Sequence, residues 1–497
     1  MTSPATASIP LSHGQRWRAF WVCVSVAALT ILDLSKVNVA LPSIEHALGA
    51  SSTELQIVVS GYVLMFGLAL VPFGRLGDQR SRTQLFLVGL TLFTLTSIVC
   101  ALAPTTEVLL VARLVQGLAA GIQMPQVLGT IQQIFTGAER GRAFGLFGAT
   151  IGIATAFGPT LGGLMIALGG PQDGWRWIFW INVPLCLAVL AGVIWLLPGT
   201  RRPAPGRLQL DPIGLVLFAI MVVALLWPFL FTTGSPDDDP RRWWTLVLFG
   251  VFAAAFVWWE RRYEASGRSP LVPFRLFDIG SYRNGTLIAT TYFAAIPAMF
   301  LTTTLFLQLG VGLEPVFAGM VSIGFALASA VSAWIGGNLV GRLGRPLVVW
   351  GIGIVLVSVV ILAVVAFTVP AEVVAYAMAA TMLVAGVGAG LVVAPNQALT
   401  LAEIPTREGG LAGSVGQLGQ RIGTAVGTAV ALSLFYAAIY RDADAGRHGI
   451  DAFHDAYAYG MVSVAIFLSL AFLLGVADLL SRRRGHDRPA PGAPPRV

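Results

Sequence analysis

The sequence predicts an all-α, polytopic membrane protein: fourteen transmembrane helices, arranged as two six-helix bundles with a helix pair inserted between them. Three observations carry this. Of 497 residues, 56% are hydrophobic and only 11% charged, with a mean hydropathy of +0.79, whereas soluble domains carry about 25% charged residues. A chain this poor in charge would not stay dissolved, which excludes a cytosolic enzyme. The apolar residues gather in runs close to the roughly 20 residues that a membrane-crossing helix needs. The arginines are split very unevenly between the loops on alternate sides of those runs.

Taken in order, the runs fall near 18–41, 54–77, 84–103, 107–131, 142–168, 176–198, 210–232, 243–260, 283–311, 316–341, 346–368, 372–400, 410–440 and 454–481. The runs at 283–311 and 410–440 are long enough to need tilt or a break. The first is full length and carries Asp33 and Lys36, so no cleavable signal peptide is expected. With the N-terminus inside, 23 arginines fall in inner loops and termini and 5 outside, and Arg113 and Arg421 fall within spans. Positive residues favour the cytoplasmic side. Both termini are therefore expected in the cytoplasm of a multi-pass cell-membrane protein, with an even number of spans. The net charge of +7 is then a topology signal, and no nucleic-acid partner is expected.

Lys36 is the single lysine, which excludes a phosphate loop of the Gly-Lys-Ser/Thr kind. Cys23, Cys100 and Cys186 lie far apart in apolar runs and match no metal or disulfide spacing. The outer segments 234–242 (Asp237, Asp238, Asp239) and 441–455 (Asp442, Asp444, Asp451, Asp455) are acidic. They read as solvated loops, and no metal site is expected. The Pro/Gly/Ala-rich end reads as a disordered tail over 486–497.

A tandem repeat shows in two expected inner loops. Residues 74–82 (Gly-Arg-Leu-Gly-Asp-Gln-Arg-Ser-Arg) align with 337–345 (Gly-Asn-Leu-Val-Gly-Arg-Leu-Gly-Arg), with Gly74, Leu76 and Arg82 matching Gly337, Leu339 and Arg345. These follow the second and tenth spans. The organisation expected is a six-helix bundle over 1–200, an inserted pair with its linkers over 201–282, and a second bundle over 283–485. Parallel halves of this kind are typical of secondary transporters. The inserted spans, outside the repeat, are expected at the periphery.

Several motifs resemble those of the major facilitator superfamily, in particular its fourteen-helix drug:proton antiporters. Leu32-Asp33-Leu34-Ser35-Lys36-Val37-Asn38-Val39-Ala40-Leu41-Pro42 is similar to that group's first-helix Leu-Asp-x-Thr-x-x-Asn-Val-Ala-Leu-Pro. The 74–83 stretch resembles Gly-x-Leu-Ala-Asp-Arg-x-Gly-Arg-Lys/Arg: Gly74, Leu76, Asp78 and Arg82 fit, while Gly77, Gln79, Ser81 and Thr83 depart. Arg113-x-x-Gln116-Gly117 resembles the fourth-helix motif, and Gly158-Pro159-x-x-Gly162-Gly163 the antiporter motif of the fifth. Trp175-Arg176-Trp177-Ile178-Phe179 with Asn182-Val183-Pro184 also fits the fourteen-helix group. The resemblance implies a bend at Gly158, Pro159, Gly162 and Gly163 that seals the antiporter against leak. It also implies a gate in which Asp78 caps a helix N-terminus in one state, with Gly74, Arg75 and Arg82 beside it. Lys36, Gln420 and Arg421 depart from the group, which usually has apolar or small residues there.

Charges inside a membrane are costly and mark function by default. Asp33 lies about 12 Å, and Arg113 about 9 Å, below the outer ends of their spans at 1.5 Å per residue, so the two can meet. Lys36 shares the helix face of Asp33. Asp33, Arg113 and Lys36 are the proton-coupling candidates: protonation of Asp33 would release its cationic partner. Lys36, Asn38, Tyr62, Gln116, Gln397, Gln417 and Arg421 are the substrate-cavity candidates, and the amides among them, with Gln56 and Gln123, equally suit helix–helix hydrogen bonding. Gly419, Gly423 and Gly427 form a close-packing stripe.

The function expected is a proton-coupled exporter of amphiphilic small molecules or drugs. It would be monomeric in the lipid bilayer, work by alternating access, and use the proton gradient in place of any cofactor. The alternatives are an exporter of an anionic metabolite or lipid-like amphiphile, and a non-transporting scaffold or sensor. Asp33 and the glycine-rich bend disfavour the scaffold, which needs neither.

Overall fold

The computed structural model describes residues 12–197, 211–232, 238–444 and 450–486. Linker residues Arg201, Arg202 and Arg207, the outer residues Asp237 and Arg447, and the tail beyond 486 lie outside the described residues, as does the side chain of Asn38. In chain order the helices are α1 (His13–Leu48), α2 (Ser52–Gln79), α3 (Arg82–Leu102), α4 (Thr106–Ile134), α5 (Gly137–Trp180), α6 (Asn182–Leu196), α7 (Pro212–Leu230), α8 (Thr245–Ala265), α9 (Gly280–Leu305), α10 (Pro315–Met320), α11 (Ile323–Leu343), α12 (Arg345–Thr368), α13 (Ala371–Thr400), α14 (Gly409–Asp444) and α15 (Ile450–His486). No strand occurs among the described residues. Among the described residues, fourteen stretches are long and apolar enough to cross a membrane, and each coincides with one of the runs read from the sequence; α10 and α11 together make the tenth.

The starts of the helices follow local chemistry. Ser51 accepts from the Glu54 amide while the Glu54 carboxylate reaches back to Ser51, a reciprocal cap that begins α2. Asp211 caps α7, with Pro212 as its first residue. Two boundaries differ from the sequence reading. Residues 74–79 and 337–343 are the last turns of α2 and α11, so the repeated segments are helix ends with very short turns at Arg80-Ser81 and Gly344. In α5 the backbone stays helical through Gly158–Gly163 and breaks instead at Gly170, where φ is +81°. Glycine tolerates that value at no steric cost.

Glycines decide where the helices touch. A Cβ on Gly117 or Gly121 would overlap the main chain of Tyr62 or Phe66, so these glycines seat α4 on α2. The Gly419–Gly427 stripe seats α14 on α9 in the same way, with Gly423 on Thr290 and Gly427 on Ala294. Gly427→Ala is therefore expected to force main chain apart and destabilise by about 1–3 kcal/mol or more. Gly416, which faces open space, should accept alanine unchanged. Thermal melts of the two purified variants against wild type check this, and equal melting temperatures would refute it.

Helices from the two ends of the chain meet along α2 with α14 and α5 with α11. Gly141 and Gly145 lie on Gly337, next to an Arg142–Asn338 hydrogen bond of 2.9 Å. Gln132 donates to the Leu401 and Ile404 carbonyls, at 2.9 and 3.1 Å. These bonds gather at the end that carries the α2–α3 turn, and that end is shut.

The inserted pair is less peripheral than expected. α7 packs on both α2 and α14: Gln56 and Ser60 donate to the Leu230 carbonyl at 3.0 and 3.3 Å. Its inward face is apolar, with Phe218, Val222 and Leu226 buried. Only α8 is peripheral, burying just Phe256 and Glu260. Asp442, expected in a solvated acidic loop, is fully buried beside Arg441, 3.5 Å away.

Candidate functional site

Four helices converge on Asp33. Its Oδ2 accepts from the Arg113 guanidinium of α4 at 2.7 Å. Its Oδ1 accepts from Asn182 Nδ2 at 2.7 Å and lies 3.6 Å from Lys36 Nζ. Lys36 in turn donates to Asn182 Oδ1, and Ser97 of α3 receives Asn182 at 3.2 Å and Gln116 at 2.7 Å. Gln116 accepts a second Arg113 hydrogen bond at 2.8 Å. Asp33, Lys36, Arg113 and Gln116 have no exposed surface. One carboxylate thus serves two cations, and an amide bridges the ends of the arrangement.

The fold brings these groups together through the motifs read from the sequence. Gly117 lets α4 touch α2, which lays the Arg113 guanidinium 4.1 Å over the Tyr62 ring. A Cβ at Gly162 would sit 2.9 Å from the Lys36 carbonyl, and one at Gly158 would strike Ser35. The glycines of the fifth span therefore bring α5 against α1 at the turn that carries the coupling candidates. Pro159 is exposed, and Gly163 faces open space. Asn182 was not among the site residues read from the sequence. Its position at the first turn of α6, after Trp175-Arg176-Trp177-Ile178-Phe179, was visible; its partner 149 residues away was not.

Several substrate-cavity candidates are closed off here. Lys36, Tyr62 and Gln116 are fully buried, Lys36 and Gln116 within the network above. Gln123 donates to Thr30 at 2.8 Å, a helix–helix bond. Gln417 is buried with its Oε1 unpartnered, as is the Tyr62 hydroxyl. Gln397 and Arg421 keep part of their surface. The Arg421 guanidinium lies 4.7 Å over the Phe66 ring.

At the shut end, Asp78 accepts from the amides of Gly410 and Leu411, at 3.1 and 2.8 Å. These are the first turn of α14, where unpaired N–H groups and the helix dipole favour an anion. Arg82 holds the same carboxylate at 2.7 Å and bonds Gln133 at 2.8 Å and the Gly129 carbonyl. Gly74 lies against Ser414 and Gly410. Arg75, one turn before Asp78 on α2, has a buried Nε with no hydrogen-bond partner.

The repeat has a structural counterpart. Arg345, matching Arg82, also starts the third helix of its half and reaches into the fourth, where it bonds Asn396. Its carboxylate partner is Asp478 of α15, at 2.6 Å. Asp78, Asp478 and Glu260 are buried acids as well, close to the ends of their spans. Asp478 and Glu260 escaped the sequence reading because they sit within a turn or so of the span ends, where an acid reads as solvated.

Residues 23–428 match the model of the Major Facilitator Superfamily. The chain belongs to that superfamily. This superfamily member is 32% identical over 437 residues to the probable actinorhodin transporter of Streptomyces coelicolor, covering 87% of this chain and 74% of the relative. It is also 32% identical over 415 residues to the multidrug resistance protein Stp of Mycobacterium tuberculosis, covering 81% and 72%. Its fold is that of the human organic anion transporter MFSD10, with a TM-score of 0.65 over 92% of this chain and 99% of that one, at 13% identity. Like the rest of the superfamily, it is a membrane-embedded transporter of small molecules.

Proposed function

We propose that the chain is a proton-coupled exporter of amphiphilic small molecules in the cell membrane, with both termini cytoplasmic. The observation that carries this is Asp33: a fully buried carboxylate shared between Arg113 and Lys36. Protonating it removes the anion that both cations lean on, so one proton changes the packing of α1 against α4 and α6. The names of the relatives, an antibiotic transporter and a multidrug resistance protein, support the direction and the substrate type. The Asp78 clamp on α14 joins the two ends of the chain at the side read as cytoplasmic, the kind of contact that an alternating-access cycle in a monomer would make and break.

The test is antiport itself. In proteoliposomes loaded with a pH-sensitive dye, adding substrate to one side should drive protons the other way, and an imposed pH gradient should accumulate substrate. Substrate flux with no accompanying proton movement would overturn the coupling.

A further inference from the structure

Arg82, Arg113 and Arg345 are drawn into the helix packing, and each meets a carboxylate within 2.7 Å. Arg421 does not. It lies twelve residues into α14, roughly 18 Å along the helix from its first turn and so near the middle of the membrane. Its guanidinium lies over the Phe66 ring of α2. It makes no hydrogen bond or ion pair among the described residues. Asp33 is engaged elsewhere, its carboxylate held by Arg113, Asn182 and Lys36.

A cation in such a place is costly without a counter-ion, and arginine cannot shed its proton. Stacking on Phe66 occupies one face of the planar guanidinium and leaves its N–H edge free to bind an oxyanion with two parallel hydrogen bonds. This edge lies where α2 faces α14, at the seam between the two ends of the chain. One turn earlier Leu418 meets Gly67, and Gln417 is buried with its Oε1 unpartnered.

We propose that Arg421 is the anchor for an acidic group on the transported molecule, so that the substrate is an amphiphilic organic acid whose carboxylate or phenolate pairs with Arg421 while its apolar body lies along the seam between α2 and α14. This rests on the export reading above and narrows its substrate class. A lipophilic cation would meet repulsion at the same point.

Three probes of matched ring system test it: 1-pyrenebutyrate, 1-pyrenebutanol and 1-pyrenemethylammonium, titrated by fluorescence onto purified protein with no pH gradient. Wild type should bind the carboxylate more tightly than the alcohol or the ammonium. Arg421→Gln should weaken carboxylate binding by about 10- to 100-fold, the worth of hydrogen bonds to a charged group, and leave the alcohol within about twofold. Arg421→Lys, which keeps the charge but loses the planar fork, should fall between. Wild type without preference for the carboxylate, or a glutamine variant that loses all three probes equally or none, would overturn the assignment. Carboxylate selectivity without proton-driven accumulation would leave this assignment standing and sink the coupling reading instead.

Discussion

Asp33→Asn should abolish accumulation driven by a pH gradient while substrate binding persists. The substitution keeps the shape of the side chain and its place beside Asn182, but it removes the charge that both Arg113 and Lys36 face. It also removes the titrating group. Both cations are fully buried, and breaking a buried pair by removing one partner costs about 3–5 kcal/mol. The variant should therefore fold and insert with a lowered melting temperature. Lysine can give up its proton when buried and arginine cannot, so the residual strain falls on Arg113. Asp33→Asn combined with Lys36→Met should recover part of the lost stability and remain uncoupled. That double variant separates the two effects: recovery of stability together with proton-driven transport would show that Asp33 is structural. Asp33→Glu, which keeps a titrating oxygen within reach of Arg113, should retain measurable coupling.

Asp78→Ala should cut transport at least tenfold by releasing the cytoplasmic end. The carboxylate makes two hydrogen bonds to the first turn of α14 and one to Arg82. Charge-assisted bonds and the helix dipole are together worth on the order of 3 kcal/mol here. A bias of that size moves a two-state balance by on the order of a hundredfold. The alanine variant also leaves Arg82, which is buried, without its anion. Accessibility reads the change directly. Ser414 is fully buried under Gly74, so Ser414→Cys in a cysteine-free background should react slowly with an impermeant maleimide from the cytoplasmic side. The reaction should be much faster once Asp78 is replaced. Equal labelling and undiminished transport would show that the clamp does not hold the closed end.

Much of the architecture was legible in the sequence, for a physical reason. A lipid bilayer demands internally bonded backbone over a fixed thickness, so hydropathy alone placed fourteen spans at the positions where the structure has them. Helix rise placed Asp33 and Arg113 at similar depth, and they meet at 2.7 Å. The repeat located Arg345 opposite Arg82. The glycine motifs announced close approach because a residue without a Cβ lets two backbones touch, and Gly117, Gly162 and Gly427 each do so.

What the tertiary structure decided is which groups share a partner. Depth and helix face are one-dimensional quantities that a sequence carries; the azimuth at which one helix meets another is not. So the sequence could not show that Asn182 completes the Asp33 network, or that Asp78 clamps α14. Nor could it show that Asp478 takes Arg345, that α7 packs on both α2 and α14, or that Gln116 and Lys36 are spent inside the network. Arg421 shows the same division. The sequence placed Arg421 within a span. The packing assigned the Asp33 carboxylate to Arg113 and Lys36, and so left Arg421 with an aromatic face and no anion.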